Sequence, residues 1–242
     1  ETRIAKFAGG AGGPFRLQLG CSGAPGAKPP AAVARLRHDA YAIVITAQAV
    51  TIFAREAKGI LNGVYDLAEQ LGFTFLLPGD AGELVPERGL RPLAAGITVR
   101  IPRFPHRGVF WQNCASYDYS VEEWLKFYAK LRFNAVAHEL ESRELCRQLG
   151  LRLEIGGHGF SGFLPRELFA TKPELFRMFQ PADFNGKRIA DSNLCVTNPE
   201  AVGILKRNFG QSLKKCHGIY AIHAWPDDLP AGGWCLCPTC RS

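Results

Sequence analysis

A chain of 242 residues, 47% hydrophobic and 21% charged, has the composition of a folded globular protein with a sizeable core, not of a disordered or fibrous one. It contains no apolar run long enough for a membrane-spanning helix. The net charge of +7 comes from Lys and Arg scattered along the chain without a basic block, which argues against a nucleic-acid partner.

Residues 1–30 are rich in Gly, Ala and Pro, with one apolar stretch, FRLQLG (15–20), that predicts a strand. The β-branched runs YAIVI (41–45) and VTIFA (50–54) predict a hairpin. Ile60, Leu61, Val64, Leu67, Ala68 and Leu71 recur at helical spacing, and Gly72 stands where a left-handed cap ends such a helix. FTFLL (73–77) predicts a further strand stopped by Pro78 and Gly79, and IPRFP (101–105) reads as a linker. A small α/β domain over residues 1–101 is therefore expected, followed by a second domain over 102–242.

The second domain repeats a strand-then-helix unit. RGVFWQN (107–113) predicts a strand, and SVEEWLKFYAKL (120–131) a helix whose Ser120 and Glu123 form a capping box. NAVAHE (134–139) and LRLEIGG (151–157) predict strands separated by a short helix (142–150) ending in glycine. After some forty irregular residues, a helix over 199–215 leads to a fourth strand, GIYAIHAW (218–225). Four such units match the first half of a (β/α)8 TIM barrel, and because half a barrel leaves open sheet edges, the chain is expected to be truncated from a longer one. An open doubly wound sheet fits less well, since FWQNCAS carries no Gly-rich phosphate loop.

Barrel enzymes place their chemistry at the C-terminal ends of the strands. Here those ends carry Gln112 and Asn113, then His138 and Glu139, then His158, then His223, Asp227 and Asp228. His158 lies between glycines that let a ligand approach the backbone closely. Trp225, like Trp111 and Trp234, offers a ring on which a sugar can stack, although Trp111 reads better as core; Glu141 and Glu144 read as the solvated start of a helix.

Of eight cysteines, five are dispersed: Cys21, Cys114, Cys146, Cys195 and Cys216. The others, Cys235, Cys237 and Cys240, form a C-x-C-x-x-C cluster. Structural zinc takes four ligands, so a metal site here needs a fourth from Cys216, His217, His223 or residues outside the sequence; otherwise the three are free or disulfide-linked thiols. Iron–sulfur spacings do not match.

The stretches GILNGVYDLAEQLGFTFLLPGD (59–80) and IPRFPHRGVFWQ (101–112) resemble the domain junction of family-20 β-hexosaminidases and family-67 α-glucuronidases. With GGHGFSGFLP (156–165) and NLCVTNPE (193–200), the chain is most similar to the bacterial domain-of-unknown-function family 4838. The resemblance implies a secreted or periplasmic glycoside hydrolase-like protein that acts on a carbohydrate. It implies Asp228 as the acid, Asp227 as its partner and Arg107 as a grip on sugar hydroxyls; the strand-end residues Asn113, His138, Glu139 and His158, with Trp225, are then the expected lining of the sugar site. Where hexosaminidases carry an Asp-Glu pair, this chain has Asp-Asp, one methylene shorter. No cofactor is required for such chemistry, structural zinc aside. A non-catalytic carbohydrate-binding protein and a zinc-stabilised structural module are the alternatives, and residues 1–242 alone are expected to be inactive.

Overall fold

The computed structural model describes residues 4–7, 15–21, 36, 38–110, 118–179, 186–190, 193–229 and 233–242. Trp111, Gln112 and the expected sugar contact Asn113 lie outside them. The chain divides into two compact units, Glu1–Ala137 with Glu141–Leu153, and His138–Leu140 with Glu154–Ser242.

The first unit contains β1 (Ile4–Phe7), β2 (Phe15–Cys21), β3 (Tyr41–Ile45), β4 (Ala49–Ala54), helix α1 (Ala57–Gln70), β5 (Thr74–Phe75), β6 (Glu83–Leu84) and β7 (Gly96–Arg100). A five-stranded sheet runs in the order β1-β2-β4-β3-β7, with the expected β3–β4 hairpin antiparallel at its heart. Period-two alternation gives β3 two buried faces: Tyr41, Ile43 and Ile45 pack with Leu67 of α1, while Ala42 packs with Leu36, Ala40 and Phe53. The helix lies close on the sheet because Gly59 and Gly63 face it. A Cβ would come within 2.6 Å of the Ala40 carbonyl oxygen at the first and 2.5 Å of Ile52 Cγ2 at the second.

The expected strand 73–77 is shorter than its composition suggests. Only Thr74 and Phe75 pair, with β6, because the chain turns back through Pro78 and Gly79 and the Leu76 amide bonds to the Gly82 carbonyl.

Beyond β7 come β8 (Gly108–Phe110), α2 (Val121–Lys130), β9 (Ala135–Ala137), α3 (Arg143–Gln148) and β10 (Arg152–Gly157). Strands β8 and β9 pair in parallel, and the Arg152 amide bonds to the Asn134 carbonyl. The capping box forms as expected, Ser120 Oγ accepting from the Glu123 amide and the Glu123 carboxylate accepting from the Ser120 amide.

A buried polar hub holds this unit together. The Asp39 carboxylate pairs with the Arg107 guanidinium and accepts from Asn62 and Asn134 side-chain amides at 3.3 Å each. Asn134 also accepts from the Arg107 amide at 2.8 Å and donates to the Pro105 carbonyl at 2.9 Å.

In the second unit β10 continues into its parallel partner β11 (Ala221–Ala224). Between them lie single turns at Phe160–Phe163, Arg166–Ala170 and Pro173–Leu175 and helix α4 (Pro199–Leu213), capped by Asn198. The core here is Leu164, Leu175, Phe176, Leu194, Ala201 and Leu205. Helix α5 (Pro238–Arg241) starts just after Cys237 and carries Cys240.

Arg107→Ala leaves the Asp39 carboxylate buried without its cation. It is expected to cost about 3 kcal/mol, read as a lowered urea midpoint. Burial pushes the Lys58 ammonium down from its usual 10.5 to about 8, against the attraction of Asp39. The folded chain therefore releases this proton while the unfolded chain still holds it, so stability rises with pH across that window. Lys58→Met is expected to flatten the rise, measured by urea midpoints between the two values.

Candidate functional site

The C-terminal ends of β10 and β11 converge in the second unit. The register pairs Gly156 with His223 and Gly157 with Ala224, so the residues that follow each strand emerge side by side. The GGHG segment turns there because Gly156, Gly157 and Gly159 take φ of 93°, 137° and 106°, values that L side chains rarely adopt. At Gly156 a Cβ would also collide with the His223 carbonyl. His158 is thereby left exposed at the strand end.

His158 Nδ1 lies 2.8 Å from the Pro226 carbonyl oxygen and Nε2 lies 3.2 Å from Asp228 Oδ2. A carbonyl only accepts, so Nδ1 carries a proton. That leaves Nε2 facing the Asp228 carboxyl. The Trp225 ring meets His158 edge-on at 5.3 Å and His223 at 5.4 Å.

Asp227 is engaged differently from its neighbour. One oxygen accepts from the Gly159 amide at 2.6 Å and the other from the Ser161 hydroxyl, while its backbone is held by the Asn193 side chain at 3.2 and 3.3 Å. Asp227 thus fixes the turn that carries His158, whereas the Asp228 side chain is 92% exposed.

Glu154, which the sequence reading passed over, is buried in β10 with its carboxylate 2.7 Å from His223 Nε2. The signal was an acidic residue between Leu153 and Ile155 of a parallel strand, a position that tolerates charge only when it is paired. His138 and Glu139 follow β9, the former half-buried with its amide donating to the Glu154 carbonyl, the latter exposed.

Arg107 is engaged by the protein itself. It precedes β8, at the strand's N-terminal end, and its donors go to Asp39, to the Phe104 carbonyl at 2.8 Å and to the Arg132 carbonyl at 3.0 and 2.9 Å. Four of the five guanidinium N–H donations thus go to protein acceptors of the hub.

The terminal cysteines find their fourth partner in Cys195. The sulfurs of Cys195, Cys235, Cys237 and Cys240 all lie within 4.8 Å of one another. Of the alternatives, Cys216 Sγ donates to the Ser212 carbonyl of α4, His223 is held by Glu154, and His217 is not part of the cluster. Burial pushes the Cys195 thiol up, but hydrogen bonds from Thr197 and Arg188 outweigh it and bring it down to about 6, while burial drives Cys235 up to about 12. Trp234 is exposed between these cysteines and the rest of the loop.

A family model described as a domain of unknown function (DUF4838) matches residues 79–242. The chain belongs to this family. No curated protein matches the DUF4838 chain. Among solved structures it is similar to a β-N-acetylhexosaminidase at 20% identity and a TM-score of 0.50, over 86% of this chain and 51% of that one. It is also similar to the family-20 exo-β-N-acetylglucosaminidase of Vibrio harveyi in complex with N-acetylglucosamine, at 14% identity and 0.50, over 93% of this chain and 39% of that one. The Flavobacterium johnsoniae chitobiase matches at 16% and 0.50, over 84% and 34%. The chain spans about half or less of the length of these structures. At such identities the likeness is one of fold: a glycoside hydrolase-like α/β architecture in which the DUF4838 chain corresponds to a small α/β domain and part of a TIM barrel. No helix among the described residues is long and apolar enough to cross a membrane.

Asp227→Ala removes both acceptors that hold the Gly159–Ser161 turn. Amide exchange at Gly159 is expected to quicken by about tenfold or more, measured by hydrogen exchange, while exchange within the first unit stays unchanged.

Proposed function

We propose that this DUF4838 protein is a glycoside hydrolase in which Asp228 is the general acid. The observation that carries the reading is the Asp228–His158 pair, 3.2 Å apart, at the ends of two adjacent parallel strands. Glycoside cleavage needs a proton delivered to the departing oxygen, and a carboxyl group beside an imidazole has a neighbour that can relay protons to it. The Pro226 carbonyl fixes Nδ1–H of His158 and so keeps Nε2 turned toward Asp228. Asp227 is a positioning residue that sets the turn below them. Trp225 offers the apolar surface against which the less polar face of a pyranose ring packs. His138 and Glu139 belong to the same rim in this reading.

The fold shared with β-N-acetylhexosaminidases supports this assignment and makes N-acetylglucosaminides the first substrates to try. The protein then works outside the cytoplasm, secreted or periplasmic, where such polymers are met.

One observation favours carbohydrate binding without cleavage on the same surface: at 92% exposure, Asp228 stands in water, not in the dry pocket that strengthens acid catalysis. Assays with an aryl N-acetyl-β-glucosaminide and chito-oligosaccharides decide between them. Asp228→Asn is expected to lower kcat by about 10²–10⁴-fold with binding retained, and Trp225→Ala to raise KM. Turnover unaffected by Asp228→Asn defeats the hydrolase reading, whereas wild-type binding without turnover establishes the alternative.

A further inference from the structure

We infer that Cys195, Cys235, Cys237 and Cys240 form a structural zinc site that braces the loop following β11. Three observations support it, and none depends on the glycosidase reading.

The first is spacing. The Cys195 sulfur lies 3.7 Å from that of Cys237 and 3.7 Å from that of Cys240. Sulfurs held about 2.3 Å from a tetrahedral zinc stand about 3.8 Å apart along each edge, so these separations are those of a tetrathiolate. They are far longer than the roughly 2.05 Å of a disulfide. The cluster gathers ligands more than forty positions apart in sequence, Cys195 with Cys237 and with Cys240.

The second is surroundings. Cys195, Cys235 and Cys237 are buried and pack with Met178, so water is largely kept from the sulfurs. The Met178 amide donates to Cys235 Sγ at 3.3 Å, and the Thr197 hydroxyl lies 3.1 Å from Cys240 Sγ. The Arg188 guanidinium, 3.8 Å from Cys235 Sγ, offsets the negative charge that four thiolates leave on a divalent ion. Four sulfur donors with no oxygen select zinc over magnesium or calcium.

The third is position. Asn193, two residues before Cys195, bonds the Asp227 backbone and donates to the Gly233 carbonyl at 2.9 Å. The Leu236 amide, within the cysteine cluster, donates to the Met178 carbonyl at 2.8 Å. The metal therefore closes a loop that starts beside Asp227 and ends at the cysteines, holding both ends to the segment before α4.

Metal binding takes four thiol protons and releases them to water, with no oxidation. The test is zinc measured by mass spectrometry of elements on the protein purified without added metal, alongside thiol titration. About one zinc per chain is expected, and a mercurial titrant should free that zinc as four thiols react. Cys195→Ser should lose zinc at least tenfold, while Cys216→Ser, outside the cluster, keeps it. If Cys195→Ser does not fold, the wild-type stoichiometry and the coupled release still decide. Zinc-free wild-type protein, iron in place of zinc, disulfides among these four residues, or full zinc in Cys195→Ser would each overturn the assignment.

Discussion

The buried Asp39 carboxylate is the constraint around which the first unit is joined. Asp39 is almost fully removed from water, and an ion so placed persists only if protein groups replace its hydration. Arg107, Asn62 and Asn134 all converge on one of its oxygens, Oδ2, and each comes from a different segment: the stretch before β8, helix α1 and the entry to β9. The hub thereby determines where IPRFP runs, because Asn134 and Arg107 also take the carbonyls of Pro105 and Phe104.

The second unit is organised by a comparable economy around another carboxylate. Asp227 spends both oxygens on the turn after β10, and its backbone is held by Asn193. The adjacent Asp228 is left to meet His158 at the surface. Two neighbouring carboxylates of the same type thus divide into one that builds the site and one that faces the solvent. Local hydrogen bonding makes the division, since the side chains are chemically identical.

The same network runs from the acidic loop to the cysteines. Asn193 touches Asp227 and Gly233, and Cys195 follows it by two residues. A long irregular connection would ordinarily be the loosest part of such a fold, as it has few regular hydrogen bonds of its own. Here it is tied at the Phe176↔Leu194 and Met178↔Arg188 bridges and by the sulfur cluster. The residues nearest the candidate chemistry are thereby given rigid support, which a site needs if its geometry is to hold.

Much of this was legible in the sequence because it rests on local rules. Period-two alternation in YAIVI, helical spacing from Ile60 to Leu71, the Ser120–Glu123 box and the glycines about His158 each act within a few residues, so β3, α1, α2 and the turn after β10 follow from neighbours alone. The convergence of His158 and Asp228 was legible too, since parallel strands place their C-terminal ends together. What the sequence could not reveal were the long-range partners. Nothing near Arg107 announces Asp39, nothing near Glu154 announces His223, and the spacing of three terminal cysteines does not point to Cys195. Those pairings were decided by the tertiary structure, because a buried charge or thiol is satisfied by whichever group the packed backbone brings within reach, however distant along the chain.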